Sequence, residues 1–310
     1  MSHSANRPAA RPAGRRLSLL PRRPHRRERR SASARTRRRV LLWVQVAIIA
    51  VICVAWIYPL LWVVSVSFKD QAEVFSGGLS LIPDRWSLDS YERAWDVGGF
   101  SDYLLNSFLV TAGTVVLVVA RCAMAGYVIA RYNFPGKRIF VVLLVATLFV
   151  PVGLTVIPVT ELSDSLGLLN SRWGLILALS GTGQVAGVLL YAGYFRSVPR
   201  ELEEAAMLDG AGFVRTFTKV MLPIARPVTA TVAVMTFLFA WSNFFLPLVF
   251  TLSRPELRTL SVGMLAFRSE NSIDWPGLAA AGTISLLPVV IVFILLQRHF
   301  IDGVAGAVKS

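Results

Sequence analysis

Six stretches of this chain run for about 20 residues or more with almost no charged side chain: 40–68, 103–130, 139–160, 173–195, 227–253 and 275–297. Each is rich in Val, Leu, Ala, Ile and Phe, and only the second is interrupted, by Arg121. A helix rises about 1.5 Å per residue, so ~20 apolar residues cross the hydrocarbon core of a bilayer. The pattern predicts helical spans near 40–64, 104–130, 139–160, 173–195, 227–251 and 276–297, and hence an all-α membrane protein with six transmembrane helices. Pro59, Pro151, Pro158, Pro247 and Pro288 fall inside these runs. Membrane helices tolerate proline because neighbours re-satisfy the freed carbonyls, so either simple kinks or broken, pathway-lining helices are expected.

Length alone, at 310 residues, would suggest two soluble domains of roughly 150 residues each. Composition overrides that count: 55% of residues are hydrophobic and 16% charged, with mean hydropathy +0.59. A soluble globule carries about 25% charged residues, so this chain has too little polar surface to cover itself. Cys53 and Cys122 are far apart and each lies in an apolar run, which points to neither a disulfide framework nor a cysteine metal site.

The net charge of +14 would suggest nucleic acid until it is located. Residues 1–39 hold 14 arginines against one acid, Glu28, so that leader carries +13 and the other 271 residues +1. A Pro/Ala/Arg-rich leader of this kind is expected to be disordered. Targeting fits poorly, because no apolar stretch follows Arg15-Arg16 before more arginines and no small-residue cleavage site follows the first run. Nucleic-acid binding would be generic. The reading adopted is a cytoplasmic anchor on anionic lipid headgroups, with no nucleic-acid partner.

Charges between the runs then orient them. Segment 69–102 has three basic residues against seven acids and reads as outside. Segment 131–138 has Arg131, Lys137 and Arg138 without an acid, and 196–226 has five basic residues; both read as inside. Both termini are therefore expected in the cytoplasm of a multi-pass protein of the cell membrane.

The segment 196–223 is longer than its counterparts and has an ordered chemistry. Ser197 can cap a helix whose first turn accepts Pro199, and Glu201, Glu203 and Glu204 would sit at the positive end of its dipole. Arg200 and Glu204 can pair across one turn. Ala205 and Ala206 leave a smooth surface for another protein, and Asp209-Gly210 would end the helix with a left-handed glycine. A second short helix, from about 212 to 221 and stopped by Pro223, completes a helix–turn–helix.

Glu204-Ala205-Ala206, three residues, Gly210, nine residues, Val220, one residue, Leu222-Pro223 is similar to the EAA loop of ATP-binding-cassette importer permeases; Val220 stands where Ile is most frequent. Further segments resemble the maltose-type sugar-permease branch of that family: Leu105-Asn106-Ser107-Phe108, Ala125-Gly126-Tyr127, Ala130-Arg131-Tyr132-Asn133-Phe134-Pro135-Gly136, and Leu166-Gly167-Leu168-Leu169-Asn170-Ser171. Trp241 to Leu248, Arg258-Thr259-Leu260 with Val262-Gly263, and Gly303 to Lys309 do so as well. The resemblance runs from about residue 40 to the end, leaves the leader out, and is to the smaller, six-span partner of a permease pair.

It implies a division of labour. The chain would pair with a second permease, two ATPase subunits and an extracytoplasmic solute-binding protein, and carry a sugar or oligosaccharide. The coupling residues would be Glu204, Ala205, Ala206, Asp209, Gly210, Leu222 and Pro223, with the first loop helix seated in a cleft of an ATPase. No catalytic residue, metal or cofactor is expected in this chain: it has no G-x-x-x-x-G-K-[ST] phosphate loop, and His3, His25 and His299 form no cluster. ATP and Mg would be used by the partner ATPases.

Candidate pathway residues each have two readings. Arg121, about 15 Å in from Arg131, either answers freed carbonyls or an ion-pair partner, or meets solute. Trp241, Ser242 and Asn243 could offer an aromatic face and an amide to a sugar, or pack helices. Gln184, among Gly181, Gly183 and Gly187, either marks a close helix crossing or touches ligand. The rival functions are a secondary transporter or channel, an importer for a glycerophosphodiester or polyol, a membrane enzyme, and a scaffold. The first would want intramembrane carboxylates, and the six runs hold none.

Overall fold

The computed structural model describes residues 25–96, 99–182, 184–269 and 272–308, with side chains described for 38–295 except Val152. Residues 1–24 of the leader and Gly183 lie outside them. Among the described residues the chain is helical, with no strand beyond one isolated bridge between Arg268 and Ile273. It divides into two units, residues 1–59 and 60–310.

Helix α1 is His25–Val66, so residues 25–39 of the leader, expected to be disordered, form its first turns. The physical reason is that a helix nucleated in the apolar run extends at the cost of one residue per hydrogen bond, and Arg and Ala are good helix formers. In the larger unit α2 (Gln71–Ser76) and α3 (Asp89–Asp96) precede α4, Phe100–Arg131. Then come α5 (Lys137–Ala146), α6 (Val156–Ser165), α7 (Arg172–Gly181) and α8 (Val185–Ser197). The loop segment holds α9 (Glu201–Leu208), α10 (Phe213–Thr216), a π-turn at Phe217–Met221 and α11 (Leu222–Ile224). The last part is α12 (Arg226–Ser242), α13 (Phe245–Phe250), α14 (Leu260–Gly263) and α15 (Trp275–Val308).

Three helices, in α1, α4 and α15, are individually long and apolar enough to cross a membrane, and the number rises to six if each of three bent pairs is one span. The bends are 99° between 137–149 and 153–165, 58° between α7 and α8, and 79° between 213–224 and α12. Uncharged runs thus locate the helices but not their breaks. Pro151 sits in the sharpest break and Pro247 in the first turn of α13, whereas Pro59 and Pro288 lie inside continuous helices. The fifth run is split, since α12 ends at Ser242 and α13 restarts at Phe245.

Helix α4 is the axis of the larger unit. One core joins its Val118, Cys122, Ala123 and Tyr127 to Val188, Tyr191 and Phe195 of α8, Val232 of α12, and Phe217 and Met221 of the π-turn. A second joins Phe100 and Tyr103 to Ala94, Trp241, Leu260, Phe267, Ala280 and Ala281. A third joins Val110 to Leu175, Leu179, Ala240, Leu246 and Phe250. The α4–α8 crossing requires Gly126, where a Cβ would stand 2.5 Å from the Tyr191 Cβ and 3.0 Å from the Val188 carbonyl oxygen. Large apolar side chains elsewhere face outward, including Trp43, Val51 and Trp56 on α1 and Leu287, Phe293 and Leu295 on α15. Surface of that kind and extent suits lipid or another subunit rather than water.

Candidate functional site

The loop after α8 begins differently from expectation. Ser197 is the last residue of α8 and its hydroxyl donates back to the Tyr194 carbonyl at 2.7 Å, so it caps no following helix. A serine in a last turn has the carbonyl three residues back within reach, and that bond wins. Helix α9 starts after Arg200 without a side-chain cap, and among the described residues no ion pair joins Arg200 to Glu204. Its neighbour Glu203 is the partnered acid. Only 8% exposed, it lies 2.7 Å, Oε1 to Nε, from Arg131 at the end of α4. The contact is an ion pair without aligned hydrogen-bond geometry, and the Arg131 Nη2 also donates to the Val198 carbonyl at 2.7 Å.

The far end of α9 follows the sequence reading. Gly210 has φ +78°, the Ala211 N–H donates to the Ala206 carbonyl at 2.9 Å, and the Gly210 N–H to that of Met207 at 3.0 Å. These paired bonds around a left-handed residue form a Schellman turn. Glu204, Ala205, Asp209 and Gly210 are exposed and Ala206 half-buried. Beside them Leu202, Met207, Phe213 and Val214 are exposed, and Leu208 is 89% exposed. The loop therefore exposes several large apolar side chains together with the Glu204 carboxylate.

The second limb is not stopped by Pro223. It continues through α11 to Ile224, and the chain turns at the fully buried Ala225. Proline lacks an N–H and would clash with the carbonyl four residues back, and the wide π-turn just before it relieves both demands. Leu222 and Pro223 are half-buried, Leu222 against the first core. Tyr127 anchors this limb from α4, its ring centroid 5.6 Å from Phe213 and 5.2 Å from Phe217.

Elsewhere in the unit, α4, α5, α6, α7 and α8 line a half-open cavity of about 920 Å³. Arg121 and Gln184 both line it, with Thr147, Ser163 and Thr182 among otherwise mostly apolar side chains. Arg121 donates through Nη2 to the Ser180 carbonyl, one of the acceptors left open where α7 ends. This fixes a cation on the wall. Gln184 lies in the α7–α8 break, and its backbone carbonyl accepts from Gly187 at 3.1 Å. Gly187 is at a close crossing, where a Cβ would stand 3.0 Å from the Cys122 Sγ.

The other three pathway candidates lie elsewhere. Trp241, 4% exposed, stacks on Phe237 with ring centroids 5.5 Å apart and donates its indole N–H to the Ser285 carbonyl at 3.1 Å. Ser242 bonds back to the Leu238 carbonyl at 2.6 Å, and the Asn243 Oδ1 accepts from the Leu246 N–H at 3.3 Å as α13 begins. None of them lines the cavity.

Sequence reasoning missed Arg131, Glu203 and Asn106 as junctions. Asn106 is fully buried: its Nδ2 donates to the carbonyls of Glu256 and Arg258 at 2.8 and 3.0 Å, and its Oδ1 accepts from the Arg172 Nε at 2.8 Å. The available signal was that Asn106 and Arg131 fall in motif segments at the two ends of one run. Among the described residues no cluster of three or more His, Cys, Asp or Glu is placed to hold a metal.

Residues 123–306 match the family described as the binding-protein-dependent transport system inner membrane component. The diacetylchitobiose uptake system permease protein NgcG of Streptomyces coelicolor is 38% identical over 256 residues, covering 82% of this chain and 83% of that protein. The trehalose transport system permease protein SugB of Mycobacterium tuberculosis is 35% identical over 256 residues, covering 81% and 92%. The melibiose/raffinose/stachyose import permease protein MelC of Bacillus subtilis is 28% identical over 263 residues, covering 84% and 94%. A chain from the crystal structure of a bacterial ABC transporter that imports alginate superposes with a TM-score of 0.74 at 23% identity, covering 84% of this chain and 97% of that one.

Proposed function

From the premise that this chain belongs to the binding-protein-dependent transport system inner membrane component family, and is thus a permease subunit of an ABC importer, we propose how it works and what it carries. It crosses the cell membrane six times, counting each bent pair near 139–160 and 173–195 as one span and α12 with α13 as another, with both termini in the cytoplasm. The charge balance of the connecting segments supports this topology. The loop 196–223 then lies on the cytoplasmic face, where two ATPase subunits bind and hydrolyse MgATP. This chain supplies no nucleotide site of its own.

One observation carries the coupling role: α9 is fixed from beneath by Arg131 and ends in a Schellman turn, yet turns Leu202, Met207 and Leu208 to solvent beside Glu204. An eight-residue helix held at both ends while leaving large apolar side chains uncovered suits a part made to seat in another protein. Glu204 offers its carboxylate to a basic group of the ATPase cleft, and Ala205 lets the two backbones approach.

With a second permease the chain forms the pathway for a sugar or oligosaccharide delivered by an extracytoplasmic binding protein. Support comes from relatives named for diacetylchitobiose, trehalose and melibiose uptake. Within this subunit the cavity holding Arg121 and Gln184 is the part that meets solute, because it combines hydrogen-bonding groups with apolar walls of the kind a sugar ring contacts.

The test is reconstitution of the complex in proteoliposomes, with and without the ATPases. Glu204→Lys is expected to leave abundance in the membrane normal, because the side chain is exposed, while ATPase copurification and uptake are lost. Selective flux through this chain alone, or unchanged uptake in Glu204→Lys, would refute the reading.

A further inference from the structure

Both covalent continuations of the loop pass through a break. Helix α8 meets α7 at 58°, and α12 leaves the second limb at 79°. Helix α4 has no covalent bond to the loop, yet it runs 32 residues without interruption, about 48 Å. Its last turns hold both limbs from one face, since Tyr127 and Arg131 are four residues apart. Tyr127 packs on Phe213 and Phe217 of the second limb, while Arg131 holds the Val198 carbonyl and the Glu203 carboxylate of the first. At the opposite end the same helix holds a distant segment. Asn106 donates to the carbonyls of Glu256 and Arg258, and the Ser107 Oγ accepts from the Leu260 N–H at 2.7 Å.

We propose that α4 is the rod that carries movement of the loop to the segment 256–260 at its far end, and that Arg131 and Glu203 are the positioning pair through which the loop pushes it. A bent junction absorbs displacement as a change of angle, whereas a continuous hydrogen-bonded helix moves as a body. The pair suits this task because it is buried and short. The cation is shared between a carbonyl at the end of α8 and a carboxylate in the first turn of α9, so neither can slide past α4 without breaking a contact. The proposal rests on the loop being the ATPase docking element. It adds that force leaves the loop sideways through side chains, not along the chain.

The experiment uses the complete complex in nanodiscs with Arg131→Gln, Glu203→Gln and the double variant. Two quantities are read: ATPase copurified per permease, and the ratio of ATP hydrolysis with loaded binding protein to hydrolysis without it. Each single variant strands one buried charge, so loss of assembly there is a folding effect. The double variant strands none and decides alone. The expected result is a double variant that copurifies ATPase like the wild type while its stimulation ratio falls about tenfold or collapses to one. Wild-type stimulation in the double variant overturns the proposal, and so does failure of the double variant to assemble, because the pair would then hold the fold rather than transmit movement. A wild-type chain that copurifies no ATPase instead refutes the docking reading on which the proposal stands.

Discussion

Gly210 is the position where the geometry of the loop makes a graded demand. Its φ of +78° belongs to the left-handed region, and a Cβ built there would meet nothing within 4 Å. Gly210→Ala therefore causes no clash, and its cost is the backbone strain alone, ~1–2 kcal/mol. Helix α9 has only eight residues and little stability of its own, so the turn has no large reserve against that strain. A penalty of that size opens the Schellman turn roughly 5–30 times more often. It weakens a partner that needs the closed form by up to the same factor. The assay is titration of purified ATPase onto permease complex in nanodiscs, alongside the amount of permease recovered from membranes. Gly210→Ala should lose up to about 5–30-fold in affinity at normal abundance. Gly210→Asn should lose less, because asparagine enters the left-handed region more readily. Equal impairment by Ala and Asn, or full affinity in Ala, would refute the assignment of the turn's backbone conformation to docking.

Two further pairs of variants have contrasting expected outcomes. Gly126→Ala should lower the stability of the detergent-solubilised chain by about 1–2 kcal/mol, because its Cβ meets the backbone of α8; Gly193→Ala, with open space around it, should gain about 0.5–1 kcal/mol, both read as shifts in thermal unfolding. Gln184→Ala should raise the KM for uptake about fivefold through loss of one sugar hydrogen bond, while Trp241→Phe, buried and bonded to Ser285, should leave KM within twofold and only reduce stability; the reverse order would move the solute site to the α12–α13 break.

The sequence made the helices legible because uncharged length is a local property. Their breaks were illegible for the same reason: the 99° bend near Pro151 and the restart at Phe245 lie within runs as apolar as those that stay straight, and packing decides between them. Pro59 and Pro288 carry the same residue type inside unbroken helices. In the loop, Gly210 could be read because a left-handed cap is a backbone requirement that glycine meets without help from elsewhere. Glu203 and Glu204 could not be told apart. Adjacent helix positions differ by about 100° in direction, and which one faces inward depends on Arg131, 72 residues earlier in the chain. Trp241 looked equally suited to a sugar or a core, and its surroundings, Phe237 and Ser285, place it in a core.

The amide of Asn106 has a consequence for how the chain is made. Two of its three acceptors and donors are supplied by residues 150 and 152 positions later, and its remaining partner, Arg172, comes 66 later. At a synthesis rate of about 5–20 residues per second, the second apolar helix enters its surroundings some 8–30 s before the carbonyls of Glu256 and Arg258 leave the ribosome. Through that interval the Asn106 Nδ2, at the head of the central helix, has neither of its two carbonyl acceptors yet made. A growing chain in this condition relies on water to answer the amide, and completing residues 256–258 supplies the last of its partners.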